Sequence, residues 1–137
     1  MFENDYIMRM ILQLGMILRR SWFKKYEHFS DERDDIERAI GDAVDMDPKL
    51  LLSLTPESVV SMLQLGSFDK QLGGYVVRAL YYEADLLEEH GLLGTADLRR
   101  AQANSIADAY GIDKDIAFSG PEELIDFFNQ QDSELVD

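Results

Sequence analysis

Residues 69–111 read DKQLGGYVVRALYYEADLLEEHGLLGTADLRRAQANSIADAYG, two helical patterns joined by one turn. Asp69 stands where an N-cap belongs, because its carboxylate can accept from the free N–H groups of a first helical turn. Leu72, Val76, Ala79, Leu80, Leu86 and Leu87 follow at helical spacing, and Gly91 falls just past His90, where a left-handed residue ends a helix. Thr95 reads as the cap of a second helix through about Tyr110, ended by Gly111. Two helices joined by so short a connection pack antiparallel. No alternating β-branched run and no Asn-Gly or Asp-Gly hairpin turn occurs anywhere in the chain. The pattern predicts an all-α fold of about six antiparallel helices.

The same punctuation recurs upstream. Ser30 is the predicted cap of a helix over 31–44, with Asp31, Glu32 and Asp34 near the positive end of its dipole. Asp47-Pro48 and Thr55-Pro56-Glu57 each place a capping side chain before a proline at the first helical position. The first launches a short turn carrying Leu50, Leu51, Leu52 and Leu54, and the second a helix through about Leu65, stopped by Gly66. Downstream, Gly120-Pro121-Glu122-Glu123 opens a last predicted helix with Leu124, Ile125, Phe127 and Phe128. Residues 1–130 are assigned to one helical domain and 131–137 to a disordered acidic tail.

The chain opens with a predicted helix from about Glu3 to Tyr26. Ile7, Ile11, Leu14, Leu18 and Trp22 form one apolar stripe, flanked by Met8, Leu12, Ile17 and Phe23. Arg9, Gln13, Arg20 and Lys24 leave only a narrow polar strip. Such a helix is either central to its own domain or shared with a partner, and the stripe is the candidate protein interface, including a homodimer through this helix. The apolar span is shorter than the roughly 20 residues that cross a bilayer. Glu3 and Asp5 stand where a signal peptide needs positive charge, so the segment reads as retained and the protein as cytoplasmic. Arg19, Arg20, Lys24 and Lys25 flank Trp22 and Phe23. That patch suits either peripheral attachment to anionic lipid or, the favoured reading, pairing with the chain's own acidic face around Asp31–Glu37.

Composition narrows the chemistry. The chain has 137 residues, a net charge of −14 and no cysteine, which removes disulfides, thiol catalysis and thiolate metal sites. Residues 1–29 carry five basic and three acidic side chains, the remainder eight and twenty-four. An acidic body repels phosphate backbones, so nucleic acid is not an expected partner.

No catalytic, cofactor or metal motif stands up to its own spacing rules. The run Asp31, Glu32, Asp34, Asp35, Glu37 lacks the glycine of a calcium loop and reads as a solvated helix face. Asp42, Asp45 and Asp47 fail that spacing too, as does Asp113-Lys114-Asp115. Leu87, not a glutamate, lies three before His90, so the di-iron pattern is missing. His90 is read as a helix C-terminal residue and His28 as surface. Gly73-Gly74 has no following Gly-Lys-Ser/Thr and is read as relief of crowding where another element comes close. Tyr75, Tyr81, Tyr82 and Tyr110 are read as half-buried packing.

Residues 80–108 resemble a degenerate tetratricopeptide-type hairpin. Ala84, Ala96 and Ala103 match its small positions, Gly91 its turn, and Leu80 and Leu87 its large apolar positions. Glu83, Arg100 and Asp108 depart from it, standing where the pattern has an apolar residue, an aromatic and a proline. The opening Met-Phe-Glu-Asn-Asp-Tyr-Ile-Met-Arg together with this hairpin resembles a family of small bacterial all-helical proteins for which no activity is established. That resemblance implies a bacterial source and a hairpin stack in the C-terminal half. The functional expectation is a non-enzymatic interaction or adaptor module for a protein or peptide. Its alternatives are a small enzyme or ligand binder using carboxylates and tyrosines in an inter-helix cleft, and a peripheral membrane protein.

Overall fold

The computed structural model describes residues 9–10, 12–17, 27–66 and 68–114. Among them lie five bounded helices, a helical stretch at 12–17 and no strand: α1 Phe29–Val44, α2 Pro48–Leu51, α3 Pro56–Gln64, α4 Lys70–Glu89 and α5 Leu93–Tyr110. The fold is all-α. The last predicted helix, the acidic tail and most of the first helix lie outside the described residues.

Three of the predicted caps form. Asp47 accepts from the Lys49 N–H at 3.0 Å, Thr55 from Ser58 at 3.3 Å and Asp69 from Leu72 at 3.0 Å. Two do not. Helix α1 starts at Phe29 with His28 as N-cap, leaving Ser30 inside the first turn. The Glu32 N–H closes that turn on the His28 carbonyl, and Phe29, packed on the core, stacks on His90 at 4.0 Å between ring centroids. Packing of one aromatic thus draws the helix start upstream of the better capping residue. Likewise α5 begins at Leu93, because the Ala96 N–H bonds the Leu92 carbonyl, and Thr95 sits within its first turn. Gly91 and Gly111 take φ +80° and +65°, and each is followed by a backbone bond back into its helix.

Helices α4 and α5 form the central hairpin; α3 packs on α5 and α1 on α4. Ala84, Ala96 and Ala103 are fully buried, so the small residues sit within the packed interior. Ile36 and Ile40 of α1, Val59 of α3, Leu80 of α4 and Ile106 of α5 fill the core. Leu14 is part of the same core at 1% exposure, and Gln13 donates to Asp42 at 3.0 Å. The turn from α1 into α2 needs Gly41, since a Cβ there would lie 2.6 Å from Pro48 Cδ and 2.7 Å from the Met46 carbonyl.

Candidate functional site

The apolar stripes of α4 and α5 each carry one charged residue. Glu83 lies among Ala79, Leu80, Leu86 and Leu87 on α4, and Arg99 between Ala96 and Ala103 on α5. Their exposures are 0% and 5%. Helical spacing that buries the neighbours buries these charges too, and isolated ions in that setting cost several kcal/mol, so they must pair.

Arg99 is bonded in every direction its guanidinium points. Nε donates to Glu83 Oε1 at 2.7 Å, Nη2 to Glu37 Oε2 at 3.2 Å, and Nη1 to the Leu52 carbonyl at 2.8 Å and Gln102 Oε1 at 3.3 Å. The Gln102 amide donates to the carbonyls of Leu52 and Leu54 at 3.0 and 2.9 Å. Arg33 of α1 donates through Nε to Glu37 at 3.2 Å and stands 3.8 Å from Glu83 Oε2. One arginine therefore ties the α4–α5 hairpin to α1 and to the turn between α2 and α3.

Protonation completes the network. Burial pushes the Glu83 carboxyl up to about 9, and its hydrogen bond with Glu37 adds to the rise, against the pull of Arg99. Burial also acts to raise Glu37, but the bond from Glu83 and the guanidiniums of Arg99 and Arg33 outweigh it and hold Glu37 below the usual carboxylate range. Glu83 Oε2 has no donor as a carboxylate oxygen. A proton on that oxygen, donated to Glu37, resolves the orphan: Glu37 is the ion and Glu83 the acid.

Above this network a cleft of about 390 Å³ opens between α1, α2 and the turn after α2, lined by Phe29, Ser30, Arg33, Lys49, Leu52 and Arg99 with Asp34, Glu37 and Ser53. A second cavity of about 630 Å³ lies by Lys70, Tyr75, Arg78 and Ile112, with Arg78 stacked over Tyr75. The carboxylates and tyrosines expected to share one cleft are thus divided. The first cavity holds carboxylates and no tyrosine; the second holds Tyr75 and Asp113.

The acidic run is not wholly a solvated face, because Glu37 turns inward to the arginines. His28 is exposed; His90 ends α4 with Nδ1 2.9 Å from the Leu86 carbonyl. Gly73 is crowded, with Phe68 and Ile112 3.1 Å from an added Cβ, whereas Gly74 faces open space. All four tyrosines are half-buried against the core, and Tyr81 donates to Asn104. Of the candidate interface, Leu14 faces this chain's own core, and Ile7, Ile11, Leu18 and Trp22 lie outside the described residues, as does the basic–aromatic patch. Among the described residues no cluster of His, Asp and Glu suits a metal, and no helix is long and apolar enough to cross a membrane.

The motif-based reading missed the Arg99 network because it treated Glu83 as a lapse from an apolar pattern. The signal was present: opposite charges on the apolar faces of two helices joined by one turn. No protein-family model, curated protein or solved structure matches the chain.

Proposed function

We propose that this chain is a non-enzymatic helical interaction module, a cytoplasmic adaptor whose tetratricopeptide-like hairpin presents a surface to a protein or peptide partner. The observation that carries the reading is the outward projection of large apolar side chains that the core does not use. Leu65 is 81% exposed, Leu50 61% and Leu93 57%. Single exposed leucines are ordinary, but several on the α2, α3 and hairpin-turn segments of a small domain supply anchors for a partner. The charged groups capable of proton chemistry, Glu37 and Glu83, are instead engaged by Arg33 and Arg99 inside the chain, which weighs against the enzyme reading. A second copy of the chain is one such partner, through the first helix.

Capture from the native host with the parent chain and with L50S, L65S and L93S variants tests this. The reading expects specific partners that the variants lose while their thermal midpoints stay unchanged. Light scattering of the same proteins separates a self-partner from a foreign one. A parent chain that is monomeric and captures nothing the variants do not also capture refutes it.

A further inference from the structure

The cleft over the Arg99 network has a charge that its host lacks. The chain as a whole carries −14. At the base of the cleft, Arg33 and Arg99 face Glu37, and the acid form of Glu83 leaves one positive charge uncompensated. Lys49 adds a second at the wall, and Asp34 offsets one. Each nitrogen of Arg99 already has a partner, but Arg33 uses only Nε, so its two Nη groups have no partner among the described residues; Lys49 Nζ has none either. A guanidinium edge with both Nη free presents two parallel donors, a match for the paired oxygens of a carboxylate or phosphate. The Ser30 hydroxyl lies in the same lining, and Phe29 and Leu52 provide apolar wall beside these donors. A volume of about 390 Å³ is in the range of small-molecule sites.

We propose that this cleft binds a small organic anion, a carboxylate or phosphate monoester on an apolar body, gripped by Arg33 and Lys49 with the body against Phe29 and Leu52. The site stands independently of the adaptor reading. Arg33 comes from α1 and Lys49 from α2, so binding would clamp those two elements over the buried network.

The test is an NMR titration of the full ¹⁵N-labelled chain with phenylphosphate, benzoate and inorganic phosphate. Saturable shifts are expected at the amides of Ser30, Arg33, Lys49 and Ser53, with phenylphosphate binding more tightly than inorganic phosphate. The ranking of phenylphosphate against benzoate tells which anion the site prefers, and either order supports it. R33Q and K49Q should each weaken binding roughly tenfold, the loss of one charge-assisted contact. R78Q, in the other cavity, should leave it unchanged. The Lys49 ammonium has no hydrogen-bond or ion-pair partner among the described residues, so K49Q remains decisive should R33Q fold poorly. Absent saturation, shifts confined to the Lys70–Ile112 cavity, equal affinity for inorganic phosphate and phenylphosphate, or undiminished binding by K49Q would each overturn the proposal.

Discussion

Replacing Glu83 by glutamine separates the shape of the buried network from its charge. Glutamine keeps an oxygen for Arg99 Nε, 2.7 Å away in the parent, and its amide replaces the proton given to Glu37. What it removes is titration. In the folded chain Glu83 holds its proton up to about 9, against an ordinary carboxyl value of 4.5. A raised folded value means that this group's contribution is fully present below the unfolded value and is lost as pH rises toward the folded one. The loss runs at about 1.4 kcal/mol per pH unit, so about 3 kcal/mol disappears between roughly pH 6 and pH 8. Glu37 works in the opposite sense: its lowered value gives stability above the ordinary carboxyl value of 4.5 that is lost as pH falls through the folded one, outside that window. Urea denaturation at steps from about pH 5 to about pH 8.5, followed by circular dichroism, reads the slope. The parent should lose stability across the window, and E83Q should flatten the curve and become the more stable protein at its alkaline end. Parallel curves for the two proteins would refute the assignment of the proton to Glu83.

Removing the other partner should do the reverse. R99M leaves Glu83 Oε1 and Gln102 Oε1 without their donor, takes one donor each from Glu37 and the Leu52 carbonyl, and should cost about 3–5 kcal/mol in the same assay. R99K should recover little of that, since an ammonium cannot span the acceptors one guanidinium bridges. G41A should lower stability by about 1–3 kcal/mol, because its Cβ meets Pro48 and the Met46 carbonyl. G74A, in an open helical position, should raise stability by about 0.5–1 kcal/mol, read as a higher thermal midpoint, and G73A should fall short of it because Phe68 and Ile112 crowd the new methyl.

The all-α fold was legible because its punctuation is chemical and local. Asp47, Thr55 and Asp69 cap where a carboxylate or hydroxyl precedes a helix, and Gly91 and Gly111 end helices with positive φ. Ser30 misled for a nonlocal reason, the stacking of Phe29 on His90, and Thr95 for a local one, the first turn of α5 closing on the Leu92 carbonyl upstream of the capping residue. The stripe position of Leu14 was legible, but its neighbour in space was not, and the structure places that side chain in this chain's own core. The candidate cleft was hidden because its residues come from three segments: Arg33 and Arg99 are 66 positions apart in the sequence and meet through Glu37 and Glu83. A periodicity argument sees each of them as one charged residue on a helix.

Arg99 is a buried hub joining the hairpin to α1 and to the turn after α2. Hydrogen exchange of its Nε–H, followed by NMR in the intact chain, measures this directly. That proton should exchange only through global unfolding, in step with the most protected amides of α4 and α5. Exchange as fast as that of the exposed Arg38 Nε–H would contradict it.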